Sequence, residues 1–409
     1  MKRDLDPSFV AATEIIGLLR GAGHTALLAG GCVRDRLLGL APKDYDVATD
    51  ATPGRILELF PRARRVGMAF GVILVRRHGS DVEVATFRAD GPYSDGRHPD
   101  EIRFGSAVED ARRRDFTING LFLDPADGKV IDHVGGADDL QAKVIRTIGD
   151  AAVRFAEDHL RLIRAVRFSA RLGFEIEGHT WAAMSAVAQN LRTISPERVW
   201  QELERMLTHP SRARAWQLLV RSGLRAHLCP EWPADDVDDE LVRNRLADLP
   251  DRETDSALAL SSTLATRSPE VVRAVCRGLR LSNDLSQSIA WLVQSLRTIR
   301  NPDALELADL KQLMARREWT ALPALFLADL RAKGDPETAY QALVDRSSAI
   351  HSEEVSPPPL LNGDDLLQIG FPAGPQLGRV LEAVYRAQRN ETIRTTEEAL
   401  LEARRVFGM

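Results

Sequence analysis

The chain has 409 residues, 44% of them hydrophobic, and a formal net charge of −5. That is ample apolar material for several packed units, and the wrong charge balance for a protein that coats nucleic acid indiscriminately. No stretch reaches the roughly 18–20 uncharged apolar residues of a membrane span, and the opening MKRDLDPSFV lacks the apolar core of a secretory signal, so a cytoplasmic location is expected.

Up to about residue 145, short apolar runs alternate with helical stretches, which predicts a small α/β or α+β unit. Strands are predicted over Thr25–Ala29, Tyr45–Ala48, Gly71–Arg76 and Val82–Phe87. Helices are predicted from near Gly31 and from Pro53, the latter with Thr52 as N-cap. The segment Tyr93–Ile102, rich in Gly, Pro and charge, reads as a mobile loop. After residue 150 helical periodicity takes over, with Ser195 and Pro196 opening one helix, and everything beyond is expected to be helical. The proline-rich Ser356–Leu361 reads as a linker before a last helical piece from about Asp364 to Phe407. Cys32, Cys229 and Cys276 are too scattered for a disulfide framework or a CxxC zinc site and are expected to be ordinary buried thiols. Between Arg146 and Arg171 six arginines outnumber Asp150, Glu157 and Asp158, a candidate phosphate track despite the acidic total.

The segment LLAGGCVRDRLLGLAPKDYDVAT concentrates the chemistry. Residues two apart on a strand share a face, so Asp44 and Asp46 would stand side by side, an arrangement that calls for a cation. Carboxylates at that spacing can hold Mg²⁺, which in a two-metal site activates an attacking hydroxyl and steadies a leaving pyrophosphate. Gly30 and Gly31, lacking side chains, would let phosphate oxygens approach backbone N–H groups at the helix start, with Arg34 one turn in. Read singly, the glycines could be a tight turn and the acids a solvated strand end.

Taken in this order and spacing, the GG, VRD and DxD elements resemble motif A of the class II tRNA nucleotidyltransferases and bacterial poly(A) polymerases, members of the polymerase β superfamily. That superfamily usually adds a third carboxylate from a neighbouring strand. In DVEVATFR, Asp81 and Glu83 share a face, and Glu83 is the candidate. RRRDFTINGLFLDP, Arg112–Pro125, is similar to the family's motif B, which implies that Arg113, Arg114, Asp115 and Asn119 shape a pocket for ribose and triphosphate. EDHLRLIRAVRF, Glu157–Phe168, is similar to the EDxxR block, which implies nucleotide contacts at Asp158, Arg161, Arg164 and Arg167. On a continuous helix Asp158 and Arg161 would share a face. A carboxylate beside a guanidinium complements the amine donor and ring-nitrogen acceptor that cytosine and adenine both present, and mismatches uracil and guanine. The alternative for that pair is a surface ion pair of little consequence. Arg171 could instead meet RNA phosphates.

The resemblance implies a polymerase β-like head with a mixed sheet over residues 1–148, a helical neck over 149–210 that recognises the base, a helical body over 211–355, and a tRNA-binding tail over 356–409. The overall class is then α+β with all-α domains following the head. The implied activity is template-independent addition of CCA to the tRNA 3′ end from CTP and ATP. It proceeds by Mg²⁺-dependent attack of the RNA 3′-hydroxyl on the α-phosphorus, with pyrophosphate leaving. The Tyr93–Ile102 loop resembles the family's loop for adding the terminal A, and Arg64–Val75 resembles the CCA type better than the more basic poly(A) type. Addition of A alone and poly(A) synthesis stay open, as does an inactive RNA-binding descendant, which would have no use for paired carboxylates. No histidine pattern of metal-ligand spacing, His-Asp dipeptide or Ser/His/Asp nucleophile pattern is present.

Overall fold

The computed structural model describes residues 6–91, 102–233 and 236–408. The chain divides into two compact units, Met1–Met206 with Arg214–Pro230, and Leu207–Ala213 with Glu231–Met409.

The first unit opens with helix α1 (Pro7–Gly21), a stretch the sequence reading left unassigned. Asp6 caps it, and Ala11, Ala12, Ile15, Ile16 and Leu19 form its buried stripe at helical spacing. Then follow β1 (Ala26–Ala29), α2 (Gly31–Leu37), β2 (Asp46–Thr49), α3 (Pro53–Leu59), β3 (Arg64–Gly67), β4 (Val72–Arg77), β5 (Ser80–Thr86), β6 (Arg88–Asp90) and β7 (Ile102–Phe104). After them come α4 (Ala107–Arg112), β8 (Phe122–Leu123), β9 (Val130–Ile131), α5 (Gly136–Ala142) and β10 (Val144–Ile145). The predicted strands and helices are present within one or two residues of their expected ends, and Thr52 caps α3 through the Arg55 N–H at 3.3 Å. The expected mobile loop lies outside the described residues except for Ile102.

Among the described residues seven strands make one sheet in the order β3-β4-β5-β2-β1-β8-β9. Every pair is antiparallel except β2 with β5, so the sheet is mixed. Strand β1, ALLA, is buried along its whole length, which is why it reads as a continuous apolar run. Leu27, Ala29, Ala48, Phe87, Ala111 and Phe122 form a core beneath it.

Helices α6 (Ala151–Glu157), α7 (Leu160–Leu172), α8 (Gly178–Ala186), α9 (Pro196–Leu207) and α10 (Arg212–Arg221) follow. The expectation of helix alone after residue 150 needs one correction. A two-residue strand β11 (Glu175–Ile176) pairs in parallel with β10, because the turn after α7 returns the chain beside Val144 and Ile145.

The second unit is helical among its described residues: α11 (Asp236–Asp248), α12 (Ser256–Leu264), α13 (Pro269–Gly278), α14 (Asn283–Thr298), α15 (Leu307–Met314), α16 (Leu322–Lys333), α17 (Thr338–Ser348), α18 (Ser352–Val355), α19 (Gly363–Gln368), α20 (Pro375–Arg389) and α21 (Thr396–Phe407). Ser356–Leu361 is not a free linker here. Leu361 is buried with Leu366, Phe371, Val380 and Val384, and the Tyr385 hydroxyl donates to Pro357 O at 3.1 Å. Helix α20 is further tied to α15 by Arg386 on Asp309 at 2.7 Å, and Lys311 binds Glu391 at 2.8 Å.

Candidate active site

Strands β2 and β5 run parallel with Val47 opposite Val84, so Asp46 and Glu83, one step earlier on each, are neighbours on the same face. Asp44 precedes the strand instead of lying in it and is exposed, Tyr45 between the acids is buried, and Asp46 is half-buried opposite Ala29 at the edge of the core. Asp46 is pushed up to about 7, first by burial and then by the charges of Asp44 and Glu83, with Arg114 acting in the opposite direction. Of the two acids that share a face on β5, Asp81 is engaged by Arg64 at 2.6 Å, whereas Glu83 stands beside Asp46.

Among the described residues no Lys or Arg lies within ion-pair distance of Asp44, Asp46 or Glu83. Nor do three His, Cys, Asp or Glu side chains there converge into a cage. Hard oxygen donors with unbalanced charge and no closed cage fit a small divalent cation that completes its shell with water and substrate oxygens. Cys32 sits close behind, its buried thiol pushed up to about 11 by desolvation, and like Cys229 and Cys276 it is buried and unbridged.

Gly30 has φ +74, and a Cβ there would lie 2.6 Å from the Arg114 Nη1 atom. Its N–H donates to Leu121 O at 3.0 Å. The expected open amide therefore fails at Gly30: the sheet has claimed it, and the glycine instead provides a left-handed turn and room for a guanidinium. Gly31 begins α2, which carries Arg34 and Asp35 into the interior.

Around that interior the sequence-predicted residues meet in one charged lattice. Arg34 donates to Asp35 at 2.8 Å and to the Asn119 side-chain oxygen at 2.6 Å. Asn119 donates in turn to Asp115 at 2.9 Å, and Asp115 accepts from Arg164 at 2.8 Å and from the Phe116 N–H at 2.8 Å. Burial alone would raise the Asp115 pKa, but the Arg164 charge and these donors hold it well below the usual carboxylate range. Arg164 also approaches Glu202 at 3.6 Å, and Arg167 binds Glu202 at 2.5 Å. Three guanidiniums surround the Phe168 ring, those of Arg34, Arg164 and Arg167, at 5.1, 5.2 and 4.2 Å from its centroid. Arg113 and Arg114 share Asp110, at 2.7 and 2.9 Å.

The expected continuous helix through Asp158 and Arg161 does not form. Helix α6 stops at Glu157, and Asp158 adopts extended backbone, φ −146 and ψ 104, before α7 starts at Leu160. Asp158 accepts from the Leu160 N–H at 3.1 Å and pairs with Arg198 at 3.0 Å. Arg161, buried, turns back to Glu157 at 2.5 Å and to Arg154 O at 2.9 Å. An acid that bonds to backbone two residues on prefers a turn to a helix interior, and Arg198 holds this one there. The six arginines from Arg146 to Arg171 are likewise matched: each has a carboxylate within 3.9 Å, Arg171 at that limit to Asp35. They form a neutralised lattice, not an open phosphate track.

Sequence reading missed Asp110, Glu202 and Arg198. Glu202 is 2% exposed on the face of α9 that also buries Val199, Leu203 and Met206, so its signal was an acid in the apolar phase of an amphipathic helix. Asp110, 1% exposed, announces itself by lying three and four residues before Arg113 and Arg114. Arg198 carries no such mark.

Residues 26–146 match the Poly A polymerase head domain, residues 173–235 the "Probable RNA and SrmB-binding site of polymerase A", and residues 251–403 a tRNA nucleotidyltransferase domain 2. The CCA-adding enzyme of Geobacillus kaustophilus is 34% identical over 97% of this chain and 96% of its own. The chain belongs to the CCA-adding enzyme family. The CCA-adding enzyme of Lacticaseibacillus paracasei is 35% identical over 94% of this chain and 93% of its own. Among solved structures, the CCA-adding enzyme of Bacillus stearothermophilus in complex with CTP superposes with a TM-score of 0.81 at 30% identity, covering 98% of both chains. The mixed-sheet head and helical remainder are thus those of CCA-adding enzymes, and among the described residues no helix is long and apolar enough to cross a membrane.

Proposed function

We infer that this chain adds CCA to the 3′ end of tRNA, using CTP and ATP. The observation that carries the reading is the unbalanced group Asp44, Asp46 and Glu83 on the head sheet of a chain whose relatives, matched end to end, are CCA-adding enzymes. Asp44 and Asp46, with Glu83 beside them, are the residues that would hold Mg²⁺. Bound there, the ion would lower the pKa of the attacking hydroxyl and neutralise charge on the phosphates. The reaction is in-line attack of the RNA 3′-hydroxyl on the α-phosphorus of CTP or ATP, with pyrophosphate leaving, and the protein's part is positioning and charge neutralisation.

Arg114 is the cation that acts on Asp46 and, with Arg113, is only partly buried, which suits both for the triphosphate. Arg34, Asp115, Asn119 and Arg164 reinforce one another and would present the ribose with a rigid rim. Gly30 and Gly31 bring this rim close to the sheet. Asp158 and Arg161 remain the pair best suited by chemistry to read the base, with Arg167 behind them. In this structure each is held by another partner, Arg198 and Glu157, so base reading requires an exchange of partners. The four-part division into head, neck, body and tail at 148, 210 and 355 is retained as a proposal; its boundaries do not coincide with those of the two compact units.

The test uses three transcripts of one tRNA, ending before C, after CC and after CCA, with Mg²⁺ and CTP, ATP or both. The first should gain three nucleotides and stop, the second one A, the third none. Extension of the CC transcript alone would make this an A-adding enzyme, long A tails a poly(A) polymerase, and no incorporation an RNA-binding protein.

A further inference from the structure

The catalytic face of the head sheet does not end at Glu83. Glu83 pairs across to Leu74 on β4, and Leu74 to Arg64 on the edge strand β3, so one row runs from Asp46 through Glu83 and Leu74 to Arg64. Three strand spacings make that row roughly 15 Å long. At its far end the surface changes character. Arg64 spends its charge on Asp81, but Arg62 and Arg65, both exposed, have no carboxylate partner among the described residues.

Next to them the surface is apolar. Val66 is 64% exposed and Met68 45%. Beyond the turn, Phe104 is 46% exposed and rests against Gly71, where an added Cβ would come within 3.2 Å of its ring. Arg88, opposite Phe104 in the β6–β7 pairing, donates to Phe70 O at 3.0 Å and closes the patch. Unpaired guanidiniums beside exposed apolar and aromatic side chains form the combination that binds single-stranded nucleic acid, with cations on phosphates and flat faces under bases. A protein partner matched to the apolar patch alone would leave the two arginines unanswered.

We propose that the edge strand β3 and the turn after it, with Arg62, Arg65, Val66, Met68 and Phe104, form a landing surface for the unpaired RNA strand immediately upstream of the reacting 3′-hydroxyl. The proposal rests on the tRNA-extending activity inferred above. The occupant follows from continuity, because the strand whose end lies at Asp46 must leave the carboxylate row in some direction: the opposite way, through Ala29 and Phe122, the row is buried core, whereas this way it ends in exposed positive charge. It adds to the head a substrate contact separate from the nucleotide pocket.

The experiment compares the full chain with its R62A/R65A variant in single-A addition to a CC-ended tRNA transcript, over a range of salt. Both side chains are exposed and, among the described residues, unpaired, so the variant should keep the wild-type Tm. The expected result is a rise of about tenfold in KM for the transcript, a salt dependence of log KM shallower by about 1.4 for two lost phosphate contacts, and unchanged kcat and KM for ATP. A second variant, Phe104→Ala, should raise transcript KM with no change in salt slope, and Phe104→Tyr should restore it. Transcript KM and salt slope unchanged in R62A/R65A would overturn the proposal while leaving the activity standing. A wild-type chain that extends no transcript would instead overturn the activity on which it rests.

Discussion

Two charged regions of the first unit lie side by side and are built on opposite principles. On the sheet, Asp44, Asp46 and Glu83 gather negative charge with no ion-pair partner, and Asp46 is pushed up to about 7 as a result. Behind it, Asp35, Asp110, Asp115, Glu157 and Glu202 each hold at least one guanidinium within 2.9 Å. Unbalanced charge costs stability and is useful only where something arrives to neutralise it. Balanced buried charge does no chemistry by itself, but it locks side chains in place. The first region is therefore read as the reacting centre and the second as the frame that gives the nucleotide pocket its shape.

Substitutions separate the two. Asp46→Asn should abolish nucleotide incorporation while tRNA retention on filters persists. In metal-free buffer it should unfold no earlier than the wild type, since it removes a buried charge that no ion pair balances. Glu202→Gln should do the reverse. It strips Arg167 of its carboxylate and is expected to cost about 3–5 kcal/mol in chemical denaturation, with catalysis impaired only in proportion to folded protein. A catalytically dead but fully stable Glu202→Gln would reverse the assignment of roles.

Acid should probe the same contrast. Asp115 is held below its ordinary value, so its contribution to stability is complete above the unfolded carboxylate pKa of about 4 and is lost as pH falls further. Asp115→Asn should flatten that acid limb of the stability curve. A smaller effect is expected from Arg198→Ala, which frees Asp158 and should shift the preference for C and A over U and G by roughly tenfold, ~1.4 kcal/mol, without lowering kcat for CTP or ATP. Smallest of all, Glu58→Ala breaks an exposed pair with Arg55 and should change stability by less than about 0.5 kcal/mol. If it matched Glu202→Gln in effect, burial would not be what distinguishes these pairs.

Much of this molecule can be read without coordinates. The apolar run of β1, the Thr52–Pro53 helix start, the DxD spacing and the family blocks are local patterns, set by side-chain periodicity and capping chemistry that act within a few residues. Glu83 is already the candidate over Asp81 on resemblance, yet what separates the two in space is of a different kind, because it depends on the register of β5 against β2 and on Arg64 reaching across from β3. So is the loss of the Gly30 amide to Leu121, since a backbone donor is committed by whichever strand happens to lie beside it. The break at Asp158 was hidden for the same reason: i,i+3 spacing favours a helix, and only Arg198, forty residues on, supplies the partner that stabilises the extended form. Sequence alone determined which groups are available and what local structure each prefers. Tertiary structure decided which charges meet, because long-range pairing depends on where the chain returns in space, and that is what divides this site into an unbalanced centre and a balanced frame.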